Sequence, residues 1–415
     1  MTFPSVAYIS AVVERLRARV PKTVPFMAYA WCLLLFAAAL YTHLIGRDGW
    51  VYHLDLDDYL HATRSWVNGE GLYDVTWWIG PTNAPMTFNY PPFAALVLRP
   101  LASMSYPAAA SIVTVGSLAA LWVAAFCISK VARLSRGDAV LVATMATALG
   151  SFAYPVWSNL NLGQINISLM ALAILDITAP WRWWPRGLLI GLTAAVKLTP
   201  LGLALYFVLK RDWRALITAL AAAASATAVA WVIDPTSSRQ YWGSFLQVKE
   251  SVSVLGATNV SLAGVVDRLP LPSVRPIVLV CAVLLVTALA ILAARNQLRH
   301  GASLSAALAI ALLLPYVSPV SWFHHWVWVV PVLLAMVLGS RGGDPVWVGL
   351  TGLSVAVLFS TLLGAVPGMW LLMLPWGVTV LIAMATRPLH LRSASKPSQV
   401  PPKPLTTVEP ASSTS

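Results

Sequence analysis

Ten apolar runs, near residues 26–45, 108–128, 138–154, 162–178, 215–233, 274–294, 302–319, 322–339, 345–363 and 367–386, are long enough to cross a bilayer core about 30 Å thick. A chain built this way cannot hide its apolar surface in one soluble core. Only 10% of its residues are charged and its mean hydropathy is +0.74, whereas a soluble globule carries charge on about 25%. The expectation is an all-α, polytopic integral membrane protein, because a helix satisfies its own backbone polar groups in lipid. Two further stretches are ambiguous: residues 92–104 read as a short span or a re-entrant turn, and 187–209, interrupted by Lys197 and Pro200, as two short helices. The expected total is 11–13 spans.

Basic residues set the orientation, since Lys and Arg are retained on the cytoplasmic side of short loops. Arg15, Arg17, Arg19 and Lys22 precede the first span, and Lys130, Arg133 and Arg136 follow the run at 108–128. Arg182, Arg186, Lys210, Arg211 and Arg214 flank the broken segment; Arg295, Arg299, His300, Arg341, Arg387, Arg392 and Lys396 continue the pattern. All can be cytoplasmic at once. That arrangement places residues 46–90, 155–161, 234–273, 318–323 and 364–367 outside, with a basic cytoplasmic N-terminus over 1–25 and both termini inside. The net charge of +12 is therefore a topology signal, spread over loop ends, and not the single basic face that a nucleic-acid partner needs.

What is missing narrows the function. Cys32, Cys127 and Cys281 all fall within apolar runs with no metal-ligand or pairing pattern, so they read as packing residues. The first apolar run has no small-residue cleavage site and reads as a retained span. Residues 387–415, rich in Pro and Ser, lack the apolar content for a core and are expected to be a disordered cytoplasmic tail. Residues 26–386 then form one transmembrane domain. No internal repeat is visible. No loop exceeds about 45 residues, whereas a nucleotide-binding domain needs roughly 100, and there is no glycine-rich phosphate loop. If the chain is an enzyme, its activated substrate is expected to arrive in the lipid.

Acids are scarce, yet residues 46–90 hold six of the fifteen: Asp48, Asp55, Asp57, Asp58, Glu70 and Asp74. From Asp55 to Ala62 the spacing suits a short helix on the membrane surface with Leu56, Tyr59 and Leu60 on its apolar side, while Trp66, Trp77 and Trp78 suit the interface. Acids in an external loop can simply be solvated. Three within four residues beside apolar surface can instead be desolvated and repel one another, which raises a carboxyl pKa and makes a base.

Three other polar insertions stand out. Ser318-Pro319-Val320-Ser321-Trp322-Phe323-His324-His325-Trp326 lies near the external end of two spans. Adjacent histidines point to different helix faces and chelate poorly; they either pack at the interface or hydrogen-bond an anionic group. Asn159-Leu160-Asn161-Leu162-Gly163-Gln164-Ile165-Asn166 opens a span, where amides either cap the helix or meet hydroxyl-rich and anionic groups. Lys197 is expensive in hydrocarbon. It either snorkels to the cytoplasmic surface or meets a phosphate or a buried carboxylate.

Five blocks in order, Asp55-x3-Tyr59, Tyr90-Pro91-Pro92, Gly163-Gln164-x-Asn166, Lys197-Leu198-Thr199-Pro200 and Ser318-Pro319-x-Ser321-Trp322-x-His324-His325-Trp326, resemble the actinobacterial polyprenol-phosphate-mannose-dependent α-(1→2)-mannosyltransferases of the GT-C fold. The likeness spans about residues 26–386, and its last block is the most specific. The chain differs from the family pattern at Asn259-Val260-Ser261, where Asn-Gln-Ser is common, and at Phe323, where an acid is frequent.

The resemblance implies extension of phosphatidylinositol mannosides, lipomannan or lipoarabinomannan on the outer face of the plasma membrane, by inverting transfer from polyprenyl phosphate mannose. It assigns the base to Asp55, with Asp58 as the alternative, and the donor phosphate to Lys197, His324 and His325. Tyr59, Tyr90, Gln164, Asn166, Asn259 and Trp322 would contact the substrates. Neither a cofactor nor a divalent metal is expected, and the partners are the two glycolipids and membrane lipid. An arabinofuranosyltransferase of the same architecture competes with this reading. So does a glycolipid transporter, although a transporter should show repeats and midplane polar groups, whereas here acids, histidines and amides gather on one side.

Overall fold

The computed structural model describes residues 23–46, 49–74, 77–79, 84–180, 182–244, 259–270, 272–339, 344–359 and 372–391. Helix α1 (Thr23–Leu44) leads into a two-residue ribbon, β1 (Ile45–Gly46) against β2 (Gly49–Trp50), and then α2 (Leu54–Val67). A second antiparallel ribbon pairs β3 (Trp77–Ile79) with β4 (Ala84–Met86). Helices α3 (Pro92–Ala102), α4 (Tyr106–Val131), α5 (Arg136–Gly150), α6 (Tyr154–Leu162), α7 (Asn166–Thr178) and α8 (Leu188–Val196) follow. A 3₁₀ turn at Thr199–Leu203 separates α8 from α9 (Ala204–Lys210). Then come α10 (Trp213–Ile233), α11 (Pro235–Ser244), α12 (Leu262–Asp267), α13 (Arg275–Arg299) and α14 (Ser303–Val317). A second 3₁₀ turn at Phe323–His325 precedes α15 (Val329–Gly339), α16 (Pro345–Phe359) and α17 (Met373–Thr386).

This is an all-α polytopic membrane protein. Helices α4, α10 and α13 are each long and apolar enough to cross a membrane, and α5 with α6 makes a broken pair bent by 74°. Eight further apolar helices are shorter, at 10–17 residues. On α10 and α13, Val232 (82% exposed), Leu285 (70%) and Ile217 (65%) face outward, as lipid-facing side chains do. Helix α14 is the opposite case, buried from Leu304 to Tyr316, which is how a helix apolar on all sides is accommodated.

Several boundaries differ from the sequence reading, each for a local reason. Residues 155–161, expected as an external loop, form α6, which starts on Pro155 in its first turn and stops at Gly163 in the left-handed region (φ +68°). Residues 92–104 become α3, whose 11 residues reach only about 16 Å, too short to span. The run at 322–339 turns helical only at Val329, and the run at 162–178 only at Asn166. Residues 387–391 are packed, not free: Leu389 is fully buried, Gln297 Nε2 donates to the Arg387 carbonyl and Ser305 Oγ to that of Leu389. The basic N-terminus up to Lys22, residues 245–258 of the later loop and the tail beyond 391 lie outside the described residues. So do the side chains of Cys32, Trp77 and Trp78. Cys127 is buried and Cys281 exposed, both unpaired.

Close backbone approach sets the broken segment in place. A Cβ on Gly187 would stand 2.1 Å from the Ala215 carbonyl oxygen, and one on Gly191 would stand 2.2 Å from that of Ala219, so α8 lies against α10 at a small-residue seam. The entry of α8 is held by Asp176, fully buried, which accepts from the main-chain N–H of Gly187 (2.9 Å) and Ile190 (3.2 Å) and from Trp184 Nε1 (3.2 Å). A carboxylate at a helix N-terminus meets both unpaired amides and the positive end of the dipole. We expect Gly191→Val to lower stability by about 1–3 kcal/mol or more, the scale of overpacking, read as a lower melting temperature of the detergent-solubilised protein; an unchanged melting curve would show that the seam can open.

Candidate active site

Gln164, Asn166, Lys197, His324 and His325, singled out by the sequence, lie where helices stop. Irregular backbone at membrane depth is tolerated only inside protein or along a polar cavity, so these breaks mark the polar region. Gln164 and Asn166 sit at the junction of α6 and α7, Lys197 at the end of α8 and His324 and His325 in the second 3₁₀ turn. Helix α2 covers the same side.

The α2 helix forms over the acidic cluster as the spacing predicts, burying Leu56, Tyr59, Leu60 and Ala62. Its three aspartates part ways. Asp57 turns outward to the Tyr52 hydroxyl (2.7 Å) and His61 (3.2 Å), and Asp58 is buried at 4% exposure. Asp55 points inward, where its Oδ2 accepts from Gln164 Nε2 at 2.8 Å; its Oδ1 has no partner among the described residues. Burial pushes the Asp55 carboxyl up to about 6, against the opposing pull of the Gln164 hydrogen bond and the Lys197 charge.

Two contacts that the sequence did not assign seat this helix. Gly163, lacking a Cβ, lets α2 close onto the end of α6: an added Cβ would lie 2.6 Å from that of Leu56 and 2.9 Å from that of His53. The His53 N–H donates to the Tyr106 hydroxyl at 2.6 Å, and its ring spans from that hydroxyl (Nδ1, 3.3 Å) to the His43 carbonyl (Nε2, 3.0 Å). A carbonyl only accepts, so Nε2 carries the proton. A glycine beside an amide-rich helix end was the available sequence signal for the first contact; nothing local announced the second.

Lys197 does not snorkel. It is 9% exposed, and its Nζ lies 2.7 Å from Asn166 Oδ1, 3.0 Å from the Tyr90 hydroxyl and 3.2 Å from His325 Nε2. The Tyr90 hydroxyl also meets that of Tyr59 (2.7 Å) and donates to Gln164 Oε1 (3.1 Å). Thus Asp55, Tyr59, Tyr90, Gln164, Asn166, Lys197 and His325 share one hydrogen-bonded cluster. His324 stacks edge-on against His325 at 4.6 Å, and its Nε2 is buried without a partner among the described residues. The Trp322 ring is 5.7 Å from His324 and 5.9 Å from His325.

Asn259 stands apart from that cluster. Its Oδ1 accepts from the N–H of Ser261 (3.1 Å) and Ser321 (2.9 Å), and its Nδ2 donates to the Pro319 carbonyl (3.1 Å). With Val260 N–H donating to the Ser321 carbonyl at 2.7 Å, it staples the later loop to the turn that carries the histidines. The two loops on this side are joined as well, by Trp66 Nε1 to Asp234 Oδ2 (2.7 Å) and Gln240 Nε2 to Asp74 Oδ1 (2.6 Å). A groove of about 630 Å³ opens between α8 and α10, walled by Ala194, Ala195, Leu198, Leu201, Trp231 and Val232 among others; Leu198 is the chain neighbour of Lys197, whose own side chain lines a separate, smaller pocket with Asn166 and His325. Among the described residues, no three His, Cys, Asp or Glu converge to hold a metal ion.

The family model for glycosyltransferase family 87 matches residues 88–319, from the loop bearing Tyr90 to the turn before the histidines. The chain belongs to glycosyltransferase family 87. A relative from Mycobacterium tuberculosis, named polyprenol-phosphate-mannose-dependent alpha-(1-2)-phosphatidylinositol mannoside mannosyltransferase, is 36% identical over 79% of this chain and 80% of its own length. The relative of the same name from Mycolicibacterium smegmatis is 35% identical over 79% of each. A third, the phosphatidylinositol pentamannoside mannosyltransferase of that organism, is 31% identical over 81% of this chain and 85% of its own length. No solved structure matches the chain. A half-buried carboxyl with one oxygen left over, linked through two amides to a buried lysine, offers a proton acceptor and a counter-charge for an anion.

Three side-chain bonds of Asn259 lie within the protein, so Asn259→Ala should cost about 1–3 kcal/mol of stability, as buried groups left unpaired do. Thermal unfolding of the variant checks this; an unchanged melting temperature with weakened acceptor binding would return Asn259 to the substrate side.

Proposed function

We propose that the chain transfers mannose from polyprenyl phosphate mannose to the 2-hydroxyl of a phosphatidylinositol mannoside, with inversion to an α-(1→2) linkage, on the external face of the plasma membrane. The observation that carries this reading is the Asp55 carboxyl, held by one oxygen on Gln164 and joined through it to the Lys197 cluster. The names of the relatives support the choice of donor and acceptor, and the basic residues on the opposite loop ends support the choice of face.

The donor enters sideways from the bilayer, its prenyl chain along the apolar groove and its phosphate toward Lys197, His324 and His325. The acceptor oxygen forms its bond to the anomeric carbon as the bond from that carbon to the phosphate oxygen breaks. The hydroxyl proton passes to Asp55, and polyprenyl phosphate departs with one more negative charge than it had in the donor. Because that charge develops as the bond breaks, a cation fixed beside it favours the transition state over the bound donor. Phosphate leaves readily, so no second carboxyl acid is needed, in contrast to glycoside hydrolysis.

A base this well placed contributes about 10²- to 10⁴-fold, and Asp55→Asn should remove that much of kcat while the donor still binds. Ionised Asp55 is the active form, and its pKa is raised to about 6. Turnover should therefore rise with pH through about 6. Purified protein in nanodiscs, given polyprenyl phosphate mannose and a phosphatidylinositol mannoside, tests both expectations. Full activity in Asp55→Asn would remove Asp55 as the base, and equal transfer from an arabinofuranosyl donor lipid would remove the mannose assignment.

A further inference from the structure

Two side-chain amides lie between the Lys197 ammonium and the Asp55 carboxylate, and neither can turn around. Lys197 Nζ only donates, so the atom of Asn166 that it meets at 2.7 Å is the oxygen, Oδ1. That leaves Nδ2 to donate to the His324 carbonyl at 3.1 Å, a partner that only accepts and so demands the same orientation. Nδ2 also reaches Gln164 Oε1 at 3.3 Å. Gln164 must then turn its Nε2 to Asp55, which it meets at 2.8 Å. Donor meets acceptor in one direction all along the chain. Flipping Asn166 would set an NH₂ against the ammonium, and flipping Gln164 would set an oxygen against the carboxylate.

The hydrogen-bonding capacity of these amides is nearly exhausted within the protein. Both Nδ2 hydrogens of Asn166 are used, on His324 and Gln164, and both Oε1 lone pairs of Gln164, by Tyr90 and Asn166. Both residues are buried, at 9% and 4% exposure. The sequence suggested that they touch substrate, but little of either is left to do so.

We infer that Asn166 and Gln164 are positioning residues that tie the phosphate half of the site to the base, fixing which Asp55 oxygen is held and which is left to take the acceptor's proton. This rests on the proposed mannosyl transfer for its role in turnover, though not for its geometry. Through the two amides, the place of Lys197 governs the state of Asp55 although the two residues share no hydrogen bond.

Asp55 is faced by Lys197 from the end of α8, by Tyr90 from the loop before α3 and by Tyr59 of its own helix; Asp58 in turn faces both tyrosines, and His324 and His325 face Lys197. The Gln164 hydrogen bond favours the ionised carboxyl. Removing it in Gln164→Met should move the pH midpoint of turnover upward from about 6 and lower kcat about 10- to 100-fold, with KM for both lipids within about twofold. Asn166→Leu does not touch Asp55, yet it should move the midpoint in the same direction by releasing Gln164. Infrared difference spectra of wild type minus Asp55→Asn follow the Asp55 carboxyl with no substrate present. They should show the same displacement when each variant is compared with its own Asp55→Asn double variant.

A tenfold rise in KM with an unmoved midpoint would overturn the inference and make these residues substrate ligands. A shift in Gln164→Met without one in Asn166→Leu would overturn the connection to Lys197. If wild type transfers no mannose, the function reading fails, while the infrared titration still decides the inference. Should either variant yield little folded protein, Gln164→Ala and Asn166→Ala carry the same comparison.

Discussion

A lysine inside an apolar bundle needs polar partners, because a buried charge without them is not sustained. Lys197 Nζ donates to Asn166 Oδ1 and to the Tyr90 hydroxyl and has His325 Nε2 3.2 Å away, one partner each from the α6–α7 junction, the loop before α3 and the turn before α15. Meeting that demand draws together segments more than a hundred residues apart. Most of the site's geometry is a consequence of it. Tyr90 is held so that its hydroxyl reaches Gln164, Asn166 so that its amide can point only one way, and His325 so that its Nε2 lies 3.2 Å from Lys197 Nζ. The α2 helix is added on top through Gly163, Tyr106 and the Gln164 contact.

The same economy explains why the helices are interrupted where they are. A continuous helix satisfies its own backbone and offers lipid nothing polar to read. Breaks at Gly163, at Lys197 and over residues 318–328 release side chains into the interior without exposing unpaired backbone to hydrocarbon. Each break has its own stop signal: a left-handed glycine at 163, Pro200 in the first turn after Lys197, and Pro319 before the histidines. The Asn259 staple then fixes the last of these to the later loop.

Much of this was legible in sequence. Apolar run lengths gave the polytopic class, the Lys197–Pro200 interruption gave the broken segment, and the Asp55–Ala62 spacing gave the surface helix. The residues that form the cluster were all nominated beforehand: Asp55, Gln164, Asn166, Lys197 and His325 because polar side chains in an apolar chain have few reasons to be there, and Tyr59 and Tyr90 through the family resemblance. What could not be read was how they pair. Gln164 and Asp55 are separated by 109 positions, and no local pattern says that a glutamine will serve a carboxylate instead of a sugar. The same holds for Asn259, whose short polar motif looks alike whether it binds a ligand or staples a turn. Helix α6 was missed because its polar residues read as a loop, although they face protein and not water.

The wall of the groove between α8 and α10 is built largely from alanine, at Ala194, Ala195, Ala223, Ala224 and Ala228. Alanine sets the bore of such a channel with a single methyl per position, so each exchange for valine or leucine would narrow it by one or two carbons without disturbing any group in the hydrogen-bonded cluster. In the proposed reaction the donor's prenyl chain lies in this groove, so preference for its length would be separable from the chemistry of the sugar. Point changes in the wall would then alter which donor lipid fits and leave Asp55, Gln164 and Lys197 as they are.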